Sequence, residues 1–285
     1  MTLRAILGLL LALALAGCKP AVPARPALWE VSGPQGQHGW LFGTIHVLPD
    51  KAEWRSATVN RALNGTDLLV LEIAAIEDDA KTRAAFEGLA HTPGLQPLSQ
   101  RVDPSRRAAL AKLMADAGLS DAQFTDVETW AAALMLAQAA NKSGDAGNGI
   151  DRALVQALPD VPRAEFEGAD AQLRIFDALP EADQRVMLGD VLGDDENASD
   201  DRAAQAWARG DMAAIDREGR TGMLADPVIR KALLVDRNRA WVARIDALLR
   251  SGKRPFVAVG AGHMAGSDGL PAMLAARGWK VVRLQ

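Results

Sequence analysis

Residues 40–46 read WLFGTIH and residues 256–263 read FVAVGAGH. Each is an apolar run of strand character that breaks at a glycine and delivers a histidine three residues later. Glycine at a strand exit lets the backbone turn sharply and approach a ligand closely. A residue just past the carboxyl end of a strand in an open α/β sheet faces the crevice where such sheets bind ligands.

The flanking sequence extends each run into a larger unit. Before the first, Leu28 to Ser32 reads as a strand, and Gly33-Pro34-Gln35-Gly36 is turn chemistry leading into a strand over Gly39 to Ile45. After it, Ala52 to Leu63 reads as a helix stopped by Gly65. Asp67 to Ile73 (DLLVLEI) is then the nearly continuous apolar run of a buried parallel strand. The second run is followed by a helix over Leu270 to Arg277, closed by Gly278, and a last strand over Lys280 to Leu284. One long amphipathic helix is expected over Pro227 to Arg250, with Leu234, Trp241, Ile245 and Leu248 on one face. The prediction is an α/β fold: a central, largely parallel sheet built from two similar strand–GxxH–helix–strand halves.

A helical insert over about residues 78–222 is expected between the halves. Within it Asp103 can cap a helix that begins with Pro104, and Gly144 to Gly149 reads as a loop. Glu181 to Gly222 reads as helical but interrupted near Gly193 to Asp201, where a run of aspartates reads as a solvated acidic loop. That run lacks the alternating ligands of a calcium loop.

The chain has 285 residues, a formal net charge of −4 and one cysteine. One cysteine excludes an internal disulfide, a zinc knuckle and an iron–sulfur cluster. The acidic balance argues against nucleic acid as the main partner. The apolar run Ala5 to Ala16 follows a basic Arg4. Its twelve residues would span about 18 Å as a helix, against about 30 Å of hydrocarbon, so it reads as a secretory signal rather than a membrane span. It ends Leu15-Ala16-Gly17-Cys18, which resembles the lipobox of bacterial lipoproteins. That resemblance implies cleavage after residue 17, acylation of Cys18 and attachment to the bilayer. Lys19 after the cysteine points to the periplasmic face of the outer membrane. Lys19 to Pro26, with three prolines, reads as a tether, so the fold should occupy 27–285. Removing residues 1–17 takes away Arg4 and leaves a formal charge of −5 (31 − 36).

Of four histidines, His46 and His263 follow strands, and His91 reads as a helix-end residue before Thr92-Pro93-Gly94. The glycine spacing alone does not discriminate, because Gly88 also precedes His91 by three. Glu72 closes the DLLVLEI strand, where a carboxylate needs a partner or a ligand. His46, Glu72 and His263 together offer two nitrogens and one carboxylate, a set suited to a divalent metal and metal-assisted hydrolysis. Structural imidazoles are the alternative. Arg237 shares the apolar helix face and needs an anion, either a developing oxyanion or a site carboxylate. Asn238 follows it, and Asp151 is either a helix cap or a site residue. The seven tryptophans should mostly be core. The Gly-Ala-Gly before His263 is not a dinucleotide fingerprint, and there is no Gly-x-Ser-x-Gly elbow.

GTIH (43–46), the strand-end Leu71-Glu72, Gly149-Ile150-Asp151, Phe166-Glu167-Gly168 with Gln172, Asp236-Arg237-Asn238-x-x-Trp241 and GAGHMAGSDGLPAML (260–274) occur in that order. Together they resemble the TraB/GumN/Tiki family. The resemblance implies a fold similar to erythromycin esterases and haem-linked ChaN-type proteins. It also implies a metallopeptidase-like activity with manganese or cobalt rather than zinc. Carried onto this chain, it makes His46, His263 and Glu72 the metal ligands and, with Arg237, the catalytic set. Asp151, Glu167 and Asn238 fall at substrate-binding positions. Two departures stand out: Phe-Glu-Gly-Ala at 166–169 where many members have Gly-Leu-Glu-Thr, and Asp236 where glutamate is common. The expected function is an envelope-anchored, metal-dependent hydrolase, most plainly a peptidase, acting on a peptide or small molecule. The competing expectations are a non-catalytic binder of peptide, metal or haem, and a metal-free esterase-like hydrolase.

Overall fold

The computed structural model describes residues 21–48, 50–74, 79–140, 145–193 and 196–285. The expected signal segment and Cys18 lie outside the described residues. The N-terminal part runs β1 (Val22–Pro23), β2 (Leu28–Ser32), β3 (His38–Thr44), β4 (Ala52–Glu53), α1 (Ala57–Gly65) and β5 (Leu68–Leu71). Next come α2 (Asp79–Leu89), α3 (Arg107–Asp116), α4 (Thr129–Ala140), α5 (Ile150–Ala157), β6 (Arg163–Glu165), α6 (Ala169–Asp177) and α7 (Glu181–Val191). The chain finishes with α8 (Glu196–Ala208), α9 (Met212–Glu218), α10 (Pro227–Arg230), α11 (Asp236–Arg250), β7 (Pro255–Gly260), α12 (Leu270–Ala276) and β8 (Lys280–Arg283).

Six strands form one sheet in the order β6-β5-β7-β3-β2-β8. β6, β5, β7 and β3 are mutually parallel, and only β2 runs against its neighbours β3 and β8. The α/β class with a largely parallel sheet is therefore as the sequence predicts. The period of two sorts the strand side chains onto two faces. Phe42, Leu69, Leu71, Phe256 and Ala258 point into one core with Val59 of α1, Leu154 of α5 and Trp207 of α8. Leu41, Val70, Val257 and Val259 point into the other with Trp241 and Ile245 of α11 and Leu270 of α12. Helices cover both faces, which is why the central strands are apolar throughout. A third core, around Leu110, Phe124, Trp130 and Leu188, belongs to the helical region. Six of the seven tryptophans are buried, as expected, and Trp40 is half-buried.

β7 inserts between β3 and β5, so the two histidine-bearing strands are neighbours, paired Thr44 to Gly260. Several expectations are corrected. Residues 78–222 are not wholly helical, because the short, polar β6 adds an edge strand beside β5. Ala52–Glu53 pairs with β1 instead of starting a helix, and α1 begins after Ser56, whose side chain accepts from the Val59 N–H. The acidic interruption ends before Asp200 and Asp201, which lie on α8.

The expected long helix from Pro227 is broken into α10, a wide π-turn at Lys231–Val235, and α11. Such a turn takes up an extra residue. The buried face therefore runs Ile229, Leu233, Arg237, Trp241, Ile245, Leu249, and the expected Leu234 and Leu248 are only half-buried. The expected Asp103 cap is present over a short 3-10 turn, its carboxylate accepting from the Ser105 N–H. No helix among the described residues is long and apolar enough to cross a membrane.

Candidate functional site

The pairing of β3 with β7, and of β7 with β5, brings three strand exits to one edge of the sheet. His46 lies two residues beyond β3. Glu72 directly follows β5, and His263 sits in the 3-10 turn Ala261–Met264 that follows β7. Their polar atoms converge: His46 Nε2 and His263 Nε2 each lie 4.0 Å from Glu72 Oε1. Gly260 is the floor of this arrangement. Its N–H donates to Glu72 Oε1 at 2.8 Å, and a Cβ there would lie 3.4 Å from that oxygen and 3.7 Å from His46 Nε2.

His46 is the open side of the site, with 57% of its side chain exposed. Its Nδ1 donates to Asp151 Oδ2 at 2.7 Å, and Asp151 Oδ1 accepts from Thr44 Oγ1 at 2.8 Å. Asp151 is buried in the first turn of α5. It does not cap that helix; Gly149 holds the N-cap position. Gly149 is required there because a Cβ would come within 2.3 Å of the His46 carbonyl. The Asp151 charge raises the His46 pKa to about 9, against the opposing effect of burial, with the hydrogen bond and Glu72 adding to the rise. In metal-free protein the His46 ring is expected to titrate near 9, and in Asp151→Asn to fall toward 6.5, read by NMR of its ring protons. An unmoved titration in the variant would refute the Asp151 assignment.

His263 is the closed side. Asn238 Oδ1 accepts from its Nδ1 at 2.7 Å, while Asn238 Nδ2 donates to the carbonyls of His263 and Asp268. The Trp241 ring packs at 4.4 Å between centroids. With the Nδ1 proton so placed, Nε2 carries the lone pair, and Arg237 Nη1 donates to it at 3.1 Å. Burial, reinforced by the Arg237 charge, pushes the His263 pKa down to about 3, so the ring is neutral at physiological pH.

Arg237 ties the site together. It reaches Glu72 Oε2 at 2.6 Å and both oxygens of Glu167 at 2.9–3.1 Å, donates to the Leu233 carbonyl in the π-turn, and lies 4.6 Å from the Trp241 ring centre. Glu167 also accepts from Trp241 Nε1 at 3.1 Å. Burial works against the Arg237 charge, but Glu167 and Glu72 outweigh it and raise its pKa. Glu72 accepts a third donor, Gln172 Nε2, at 3.1 Å. Burial would raise the Glu72 pKa, but the imidazoles of His263 and His46, the guanidinium and the Gly260 N–H together lower it to about 2.

All seven residues singled out in the fold therefore share one cluster: His46, Glu72, His263, Arg237, Asp151, Glu167 and Asn238. Of Arg237's two readings, the geometry is that of the ion pair with site carboxylates. Asp151, Glu167 and Asn238, expected at substrate-binding positions, direct their polar atoms at His46, Arg237 and His263. The roles of Thr44 and Gln172 were not legible; both lie inside or beside recognised motifs, but nothing in sequence says what a lone polar side chain faces. His38 pairs with Glu30 and His91 with Glu87 and Asp126, away from the site.

A cavity of about 300 Å³ opens over His46 and Glu72, walled by Val47, Ile73 and Thr82. Thr82 also lines a second cavity of about 350 Å³, together with Phe86, Leu134 and Met135.

Among the described residues, no three His, Cys, Asp or Glu side chains have the spacing of a formed metal centre. The donor chemistry nevertheless fits a divalent ion. Each histidine has its Nδ1 held by a partner, which directs Nε2 inward, as in metal sites. His46 Nε2 is the exposed donor and Glu72 Oε1 lies buried beside it, and His263 joins them only when Arg237 releases its Nε2.

No curated protein and no solved structure matches the chain. The TraB/PrgY/gumN family does, over residues 27–283, from the first strand of the central sheet to its last. The chain belongs to the TraB/PrgY/gumN family.

Proposed function

We propose that this protein is a metal-dependent hydrolase of the bacterial cell envelope, a peptidase in reaction class, held by an acylated Cys18 at the periplasmic face of the outer membrane. The observation that carries the reading is the convergence of His46 Nε2 and His263 Nε2 on Glu72 Oε1 at 4.0 Å each, at the carboxyl edge of a parallel sheet. His46, Glu72 and His263 are the residues that would hold a divalent ion, manganese or cobalt by family resemblance. Bound there, such an ion supplies Lewis acidity that makes water a nucleophile near neutral pH.

The chain's own residues divide the remaining work. Asp151 fixes the His46 tautomer and Asn238 that of His263. Glu72, with a pKa held at about 2 and three donors on its oxygens, is better suited to ligation than to taking up a proton. Arg237 acts through Glu72, Glu167 and His263 and so is a positioning residue. Thr82 lines both cavities, which supports an extended, peptide-like substrate over a compact one.

A second reading rests on the exposed His46. A histidine with Nδ1 on a buried aspartate, Nε2 facing a cavity and a pKa raised to about 9 also suits a metal-free hydrolase in which it acts as general acid. Incubating the protein with a peptide library separates the two. Cleavage with manganese or cobalt, lost on chelation and reduced at least about 100-fold in His46→Ala and Glu72→Gln, is the expected result. Turnover unaltered in His46→Ala would overturn both readings. Activity surviving exhaustive chelation would select the metal-free one, and saturable binding of peptide or haem without product would make the protein a binder.

A further inference from the structure

A cavity of about 890 Å³ lies away from the His–Glu cluster, lined by Pro23 to Arg25, by Ala52 to Ser56 and by Ala208 and Arg209. Its backbone is pinned where the N-terminal segment enters the fold. β1 pairs with β4, the Ala24 N–H donates to the Glu53 carbonyl at 3.1 Å, and the Arg25 N–H donates to the Ala208 carbonyl at 2.7 Å. Three arginines from three separate segments, Arg25, Arg55 and Arg209, rim the opening, and all are exposed. Arg55 donates from Nε to Asn60 Oδ1, and no ion pair is formed by Arg25 or Arg209 among the described residues. Glu53 is the one carboxylate in the lining, leaving an excess of two positive charges (3 − 1) in a chain whose formal charge is −4. Beside the cavity Val22 is 49% exposed, the most exposed large apolar side chain described.

We propose that this arginine-rimmed face lies against the anionic phosphate headgroups of the bilayer that holds the chain. The proposal rests on the reading of Cys18 as the acylated anchor. Arg25 is seven residues beyond Cys18, which keeps it within about 25 Å of the bilayer surface even on a fully extended chain. At that range a cluster of unpaired guanidinium groups is drawn onto an anionic surface. An excess of positive charge opposed to the sign of the whole molecule then orients it, cavity toward the lipid. Charge complementarity and the exit point of the chain thus name the same occupant.

Every strand, helix and apolar core described lies within residues 21–285, so the chain from Lys19 onward carries all the described elements and can be tested without its acyl groups. Flotation with phosphatidylglycerol–phosphatidylcholine vesicles should show binding that falls with salt and is absent on phosphatidylcholine alone. At about fivefold per arginine, Arg25→Gln/Arg55→Gln/Arg209→Gln should weaken it on the order of 100-fold. Arg107→Gln/Arg174→Gln/Arg239→Gln, with the same net charge but substitutions on exposed faces elsewhere, should leave it unchanged. Failure to bind anionic vesicles, or equal loss in both triple variants, would overturn the proposal. Saturable binding of inorganic phosphate by calorimetry, lost only in the first variant, would replace it with a soluble-anion site. Acyl labelling of the full chain and of Cys18→Ser tests the anchor separately, so failure of that reading is distinguishable from failure of the arginine face.

Discussion

Arg237→Ala is expected to lower the stability of the fold by about 3–5 kcal/mol, the largest loss from any single exchange in the site. Two carboxylates, Glu72 and Glu167, are taken out of water on the strength of one guanidinium, which contacts both. Burying a charge is tolerable when it is paired and hydrogen-bonded, and truncating the partner leaves the full desolvation penalty on the groups that remain. The Trp241 face also loses its stacked cation, and the lone pair on His263 Nε2 its donor. At roughly 2–4 °C per kcal/mol for a domain of this size, the thermal midpoint should fall by about 6–20 °C. Removing the carboxylates as well, in Arg237→Met/Glu72→Gln/Glu167→Gln, should recover part of the loss, because the penalty belongs to unpaired charge rather than to the missing side chain. A single-variant loss under 1 kcal/mol, on the scale of a surface ion pair, would show that the two carboxylates are solvated after all.

The second large effect is a stability optimum near pH 6–7 in chelated protein, with opposite causes on its two sides. His263 has a folded pKa of about 3 against 6.5 unfolded. As pH falls below 6.5 the unfolded chain takes up a proton that the folded site refuses, so stability drops until about pH 3. Glu72, at about 2 against 4.5, contributes stability that is present above pH 4.5 and is lost as pH falls through 2. His46, at about 9 against 6.5, contributes stability that is full below 6.5 and is lost as pH rises through 9. Between pH 6.5 and 4.5 His263 alone of the three is responsible, with a slope of at most about 1.4 kcal/mol per pH unit. Urea titrations across that window should therefore be flatter in His263→Gln, and those above pH 6.5 flatter in Asp151→Asn. Identical pH profiles for the wild type and His263→Gln would show that the imidazole takes up its proton as readily in the fold as in the unfolded chain.

Much of the site is legible in the sequence. His46 and His263 stood out because each follows an apolar strand and a glycine, and Glu72 because a carboxylate ending DLLVLEI needs a reason to be there. Arg237 stood out because a charge on a buried helix face demands an anion. These inferences share one property: each depends on a residue and its immediate neighbours along the chain. What they could not supply was the partner. That Arg237 grips two carboxylates at once, that Asp151 turns away from its helix to hold His46, and that Gln172 reaches Glu72 are facts about residues 70 to 165 positions apart.

The same division governs the fold. Period-two burial, long apolar runs and glycine stops are written locally, and from them the sequence by itself determined an α/β protein with a largely parallel sheet, along with the strands that carry the two histidines. Membership of the TraB/PrgY/gumN family follows from the same ordered motifs. Only the tertiary structure decided that β7 enters between β3 and β5, that β6 is a strand at all, and that a π-turn places Leu233 in line with Arg237 and Trp241. The physical reason is that strand order is chosen by long-range burial. Two apolar strands offer equivalent edges to any partner, and the choice falls to whichever packing covers both faces of the sheet with the helices available. That choice is what sets two histidines, 4.0 Å each from one glutamate oxygen, over a single glycine.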